Sequence, residues 1–333
     1  MIPSLKKPIP LRLVDWLLTN VRYPALLVGG CVAVPLIILP SLTGAIYPDE
    51  IEPWSSNPLE MTGLFLMLAI LPAYLLMCLV ASQRLANCNR EYIAQNIAEP
   101  TRIKELAEAW YPWWWLAIPF GLINIRLNVG TIILDPGSPA FAVSAGIIFG
   151  QWILWTVVGV VLFFTMLEGF ILHRMGKLVP INLYDLNSLN GFGKNALNNF
   201  LMIAGALALT TLQSIDQRLE WINYRNGLIV GIPAAMILVP LPIWALHQRI
   251  KAKKQALLEQ LDVKIRSAST SLAAGDLERL NALLIRKEQI HKLRNWPMDI
   301  STFSRFFVYA FIVPLAWAGA ALMEVLLDYL LGL

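Results

Sequence analysis

The chain has 333 residues, 57% of them hydrophobic and 14% charged, where an ordinary soluble domain carries about 25% charged residues. A mean hydropathy of +0.60 excludes a soluble globular or disordered class and leaves a polytopic membrane protein. The net charge of +4 is read below as topology, and no nucleic-acid partner is expected.

At the N-terminus Lys6, Lys7 and Arg12 are followed by Asp15 and Trp16, and no small-residue cleavage site follows the first apolar run. That run is expected to stay as an anchor. An apolar helix needs roughly 20 residues to cross about 30 Å of hydrocarbon. Seven stretches approach that length: 22 to 40, 61 to 81, 113 to 134, 141 to 172, 197 to 215, 227 to 246 and 303 to 330. The expected fold class is all-α, a polytopic transmembrane helix bundle of about seven spans with a cytoplasmic helical hairpin. Residues 1–246 carry spans 1 to 6 with an interfacial loop at 176–199, 247–295 form the hairpin, and 296–333 hold the last span.

Lys and Arg near short loops are retained on the cytoplasmic side. With the N-terminus inside, 23 of the 26 basic residues fall on cytoplasmic segments, leaving Arg126, Arg218 and Arg225 apart. The opposite faces hold Asp49, Glu50, Glu52, Glu60 and Asp135. The expected orientation is N-inside and C-outside, in a prokaryotic inner membrane. The first outer loop, Ser41 to Pro58, reads as a solvated interfacial cap.

Residues 82 to 109 read as polar helix, broken at Glu99-Pro100, with Thr101 as an N-cap. Trp110, Tyr111, Trp113, Trp114 and Trp115 then form an aromatic belt at headgroup level.

Span 3 contains the most expensive group. Arg126, flanked by Asn124 and Asn128, lies about 20 Å past Trp113 along a helix. An arginine at mid-membrane costs at least about 2.5–3.5 kcal/mol and is normally paired or hydrated. Two readings stand: a functional intramembrane arginine, or a shorter span 3 with Arg126 snorkelling outward. Glu324 and Asp328 share one face of span 7 and are depth-compatible partners; Glu168, near the inner end of span 4, is less so. With Gln151 these residues make a candidate pore or intramembrane polar network.

Gly146 and Gly150 in span 4, Gly227 and Gly231 in span 6, and Ala316 and Ala320 in span 7 are small-residue faces that let helix backbones approach. In the 176–199 loop Ile181, Leu183, Leu186, Leu189 and Phe192 are expected to lie on the membrane surface. Gly191-Phe192-Gly193-Lys194 lacks the spacing and the hydroxyl of a phosphate loop.

The hairpin follows from Ile250, Leu257, Leu261, Ile265 and Leu272 on one helical face, a turn at Ala274-Gly275-Asp276, and Leu277, Leu280, Leu283, Ile290 and Leu293 on the return arm. Its arms form a short coiled coil. Lys251, Lys253 and Lys254 at its base are candidate lipid-head contacts, at about 1 kcal/mol each near an anionic surface.

Asn182-Leu183-Tyr184 with Phe192, Leu246-His247 with Arg249, Gly275-Asp276-Leu277, Trp296-Pro297, and Pro314-Leu315 with Trp317 resemble the pattern of an uncharacterised group of prokaryotic polytopic membrane proteins. The resemblance covers roughly the C-terminal half and implies architecture only.

Enzyme chemistry is not expected. His173, His247 and His291 each sit close to Arg or Lys, which disfavours a metal, and the cysteines Cys31, Cys78 and Cys88 have no CxxC spacing. Span 7 lacks a lysine for a retinal Schiff base, and no selectivity-filter, HExxH or GxSxG signature occurs. No cofactor is expected. Two functions remain: an oligomeric channel or transport pore for ions or small solutes, or a sensor or scaffold whose hairpin binds a cytoplasmic protein. The expected partners are the lipid bilayer, further copies of the chain, and that cytoplasmic protein.

Overall fold

The computed structural model describes residues 7–45, 58–94, 105, 108–129, 137, 141–214, 221–270, 274–298, 300–312, 314–319 and 322. Among them every regular element is a helix: α1 Ile9–Asn20, α2 Pro24–Leu42, α3 Pro58–Ala94, α4 Ala117–Val129, α5 Phe141–Leu178, α6 Asn190–Leu209, α7 Trp221–Leu238, α8 Leu241–Thr270, α9 Ala274–Lys292 and α10 Ile300–Ala310. Short 3-10 segments at Tyr111–Leu116, Asn187–Leu189 and Thr210–Ser214 precede α4, precede α6 and follow α6.

Among the described residues five helical stretches are long and apolar enough to cross a membrane: Pro24–Leu42, Glu60–Asn89, Phe141–Leu178, Asn187–Gln213 and Arg225–Ser269. The chain is a helical membrane protein. The expected third span is different in kind. Its described part is a 3-10 turn, Tyr111–Leu116, with Pro112 near its start, followed by a 13-residue α-helix of about 20 Å; residues 130–134 lie outside the described residues. Of the expected seventh span, the described part is the shorter apolar stretch Ser304–Gly319.

Helices α3 and α5 form the spine, because apolar residues run all round them and their surfaces admit close neighbours. A side chain at Gly146 would meet the Phe65 ring at 3.2 Å and one at Gly150 would meet Leu68 at 2.9 Å, so α3 and α5 run parallel in fixed register. Helix α4 lies antiparallel on α5 through Gly121 against Thr156 and Gly159 against Ala117 and Phe120. Helix α6 runs antiparallel to α3, tied by Tyr74 Oη donating to Leu201 O (2.8 Å) and Asn89 Nδ2 donating to Gly191 O (3.0 Å). Gly227 and Gly231 of α7 face Thr210 and Leu207 of α6. Both described small-residue motifs therefore pack within one chain. Ala320 lies outside the described residues.

The 176–199 segment differs from its expected place on the membrane surface. Ile181, Leu183, Leu186, Leu189 and Phe192 are all buried in the protein core, and Tyr184 is exposed. The reason is electrostatic as well as apolar. Arg249 Nη1 donates to Gly176 O (2.9 Å) and Val179 O (2.7 Å), satisfying carbonyls at the end of α5, and Lys253 Nζ donates to Ile181 O. The glycines at 191 and 193 serve close packing, against Asn89 and against Pro297 and Met298.

Helices α8 and α9 pack side by side with Ile250, Leu261 and Ile290 buried between the bundle and the hairpin seam. Lys287 and Asp262 pair across the arms at 2.6 Å, and both are exposed, so the pair contributes little. Glu288 is held below its ordinary value by the hydrogen bond and charge of Lys292 one turn on. That pair persists at neutral pH and is lost as pH falls through the lowered value.

At the hairpin base His247 stacks on Trp296 (3.9 Å between centroids, 20° between planes) and its Nδ1–H donates to Asn295 O at 2.8 Å. Lys254 Nζ donates to His291 O, Leu293 O and Asn295 Oδ1 at 2.8–3.1 Å, capping the C-terminus of α9. Lys254→Met should destabilise the hairpin by about 1 kcal/mol, since it leaves those carbonyls to water. Faster limited proteolysis within 255–292, with the bundle intact, is the expected reading; unchanged cleavage rates would refute the cap.

The N-terminal α1 was not expected from the apolar pattern. It docks Leu11, Val14 and Leu17 on the bundle, while Ile9, Leu13 and Trp16 stay exposed. Lys7 pairs with Asp15 at 2.6 Å, and Asn87 of α3 donates to Asp15 at 3.1 Å, which fixes α1 to the end of the bundle that carries the hairpin.

Candidate functional site

The contacts above set a common register along the bundle. Two levels are useful: the hairpin end, where His173, His247 and the hairpin gather, and the far end, where α5 begins. Polar residues occupy one band near each, and α3, α5 and α6 contribute to both.

Near the far end, α3, α5, α6 and α7 enclose a cavity of about 530 Å³. Its mouth carries Gln151, Thr210, Gln213, Arg225 and Asn226, and its floor is apolar, including Leu71, Leu75, Leu162, Met202 and Ala234. Small residues keep this space open: Gly227, Gly231, Ala206 and Ala234 all line it. Trp155 forms part of the wall and donates from Nε1 to Gln151 Oε1 at 3.0 Å. A second cleft of about 430 Å³, between α2, α3 and α5, offers only Thr43 as a polar side chain. It provides nothing to orient a ligand, so the first cavity is the candidate.

Toward the hairpin end lies a buried polar layer. Ser82, Gln83, Thr165, Glu168, Asn195 and Asn199 are each at most 3% exposed. Extending the α3–α5 register from Gly150 and Leu68 brings Thr165 level with Gln83, and the α3–α6 hydrogen bonds bring Asn195 to the same level. Within this layer Gln83 Oε1, Thr165 Oγ1, Asn195 Nδ2 and Asn199 Oδ1 make no hydrogen bond among the described residues. A buried polar atom without a partner costs about 1–3 kcal/mol, so such a layer is built for water or a polar solute.

The layer adjoins a break in the helical path. Helix α7 stops at Leu238 and α8 starts at Leu241, with Val239 and Pro240 in a turn between them. In a continuous helix the Leu238 carbonyl would accept from the N–H of residue 242, which is proline and has none. Asn199 Nδ2 supplies the missing donor, 2.9 Å from Leu238 O. His173 Nδ1 lies 3.3 Å from Leu241 O, across from Gly169, which gives α8 room to approach α5.

The residues expected to make one network fall in separate places. Gln151 lines the far-end mouth. Arg126 is exposed in the last turn of α4, roughly level with Gln151 through the Gly121–Thr156 register, but on the α4 side of α5 and not in the cavity wall. Asn124 donates back to Phe120 O at 2.9 Å, bonding its own helix. Glu168 is about 25 Å from Gln151 along α5, in the hairpin-end layer. The side chain of Asn128, and Glu324 and Asp328 altogether, lie outside the described residues. Of the three base lysines, Lys253 and Lys254 spend their ammonium groups on backbone carbonyls, and Lys251 is exposed. Among the described residues no group of three or more His, Cys, Asp or Glu could hold a metal ion.

Sequence reasoning missed Ser82, Gln83, Asn195, Asn199, Gln213 and Asn226, and it left Arg225 as an outlier of the charge count. Two signals were present: Pro240 and Pro242 inside an apolar run, and Asn195 and Asn199 four apart across the start of the fifth apolar stretch. No family model, no curated protein and no solved structure matches this chain, so its function rests on the geometry of these two polar layers.

Proposed function

We propose that the protein is a transport protein for ions or small solutes in a prokaryotic inner membrane, with seven spans, the N-terminus and hairpin inside and the C-terminus outside. The observation that carries this reading is the pair of polar layers at two depths, one in a cavity between α3, α5, α6 and α7 and one on α3, α5 and α6 beside a broken helix. Irregular backbone within a membrane is tolerated where protein or a water-lined cavity satisfies it, and polar groups at that depth mark solute paths. The path lies inside one protomer, so association into a homo-oligomer multiplies paths rather than creating one.

The test is flux in liposomes containing the purified chain, followed by light scattering with salts and small neutral solutes. Glu168→Gln and Gln83→Leu should each lower the transported solute's rate at least about tenfold, with folding checked by gel filtration. Folded, reconstituted protein that passes none of the solutes overturns the reading.

A second reading has one observation in its favour. Val263, Leu277, Leu284 and Ile285 are exposed on the hairpin arms, an apolar surface suited to a cytoplasmic protein partner. Replacing 251–292 with a short linker then abolishes partner capture while membrane insertion persists.

A further inference from the structure

We infer that the far-end cavity is a binding site for a single-chain anionic amphiphile, its carboxylate or phosphate head held at the mouth by Arg225 and the neighbouring amides, its tail in the apolar floor. The inference goes beyond transport, since binding is measured without flux.

Charge decides the head. Among the described residues lining the cavity Arg225 is the one charged side chain, and none of them is a carboxylate. Gln151, Gln213 and Asn226 bring side-chain amides to the same mouth, while the Thr210 hydroxyl donates to Leu207 O at 2.6 Å. A guanidinium with amide donors around it is matched to planar or tetrahedral oxyanions.

Shape decides the body. The cavity runs along α5 from Gln151 to Leu162, about 16 Å, which is roughly half the hydrocarbon thickness. Its head-binding residues therefore stand at one bilayer surface and its floor near the midplane, the posture of a lipid-like molecule in one leaflet. At about 530 Å³ it lies in the ordinary range of small-ligand sites and holds one aliphatic chain, not a diacyl lipid. Gly227 and Gly231 let α7 pack against Leu207 and Thr210 of α6 at the wall, and Ala234 adds only a methyl to the lining.

The wall supplies its own reporter. Trp155 faces the cavity, so a dibrominated stearate titrated into the full chain in a neutral detergent should quench tryptophan fluorescence saturably. The component assigned to the site is the one missing in Trp155→Phe. Arg225→Ala should weaken the apparent Kd about tenfold or more, Arg225→Lys less, and dibrominated stearyl alcohol should bind wild type as weakly as stearate binds Arg225→Ala. Ala206→Phe or Ala234→Phe, whichever elutes as a folded species, should abolish saturable quenching. Competition by monoacylglycerol phosphate against competition by unbrominated stearate tells a lysophospholipid from a fatty acid as the better head.

Equal affinity for acid and alcohol, or quenching that rises without saturation as in simple micelle partition, overturns the inference. Binding as expected in a chain that passes no solute sinks the transport proposal alone. Flux without saturable binding sinks this one alone.

Discussion

Replacing Asn199 with leucine should cost the folded bundle about 1–3 kcal/mol, and replacing Pro242 with alanine in the same chain should return part of it. Asn199 is fully buried, and its Nδ2 is the donor that the Leu238 carbonyl lacks because residue 242 is proline. Leucine is close in volume and apolar, so it removes the donor with little change in packing and leaves the Leu238 carbonyl with no protein donor. Alanine at 242 restores an N–H one helical turn beyond Leu238. The repair is partial, because Pro240 still interrupts the path. In denaturant titrations in mixed micelles the double variant should therefore be more stable than the two single effects predict, by about 0.5 kcal/mol or more. Strict additivity would show that Asn199 and the proline break are unrelated.

That pairing also explains what could and could not be read before the fold was known. Apolar length alone located the five long helices, because hydrocarbon thickness acts on each segment separately. Charge and periodicity located the hairpin, and α8 and α9 follow its two arms with Ile250, Leu261 and Ile290 turned inward. The site is another matter. Arg126 stood out because its cost is local, a property of one residue at one depth. Asn199 did not, because its meaning depends on a carbonyl 39 residues later and on a proline beyond that.

The same distinction separates the two polar layers. Gln151 and Glu168 were both visible as polar groups in one apolar run, yet they belong to different bands because a 38-residue helix places them about 25 Å apart. Gln213 and Arg225 flank residues 215–220 and join the mouth only when α6 and α7 pack antiparallel on their glycines. The 176–199 segment shows the reverse error. Its alternating apolar residues do lie at an interface in sequence terms, but Arg249 and Lys253 draw it against the bundle, and burial follows.

Gly121→Leu should be the most damaging single change in the short helix α4, at about 3 kcal/mol or more. A Cβ at 121 would stand 3.0 Å from the Thr156 backbone nitrogen and 3.2 Å from its Cα, and backbone of α5 cannot turn aside as a side chain can. On the other side of the same contact, a Cβ at Gly159 would meet Ala117 Cα at 3.1 Å. Two such approaches about one turn apart fix both the distance and the register of α4, and so fix where Arg126 stands. Thr156→Ala removes only the hydroxyl from this contact, so it should rescue Gly121→Leu by a minor fraction. The consequence for Arg126 is measurable in a chain whose Cys31, Cys78 and Cys88 are replaced. In the proposed orientation Arg126→Cys, exposed near the far end, should react with a membrane-impermeant maleimide added outside intact cells. Adding Gly121→Leu should change that rate at least several-fold, because α4 must shift to admit the side chain. An unaltered labelling rate with unaltered stability would mean that α4 is not held on α5 by these glycines, and the outward position of Arg126 would lose its structural basis.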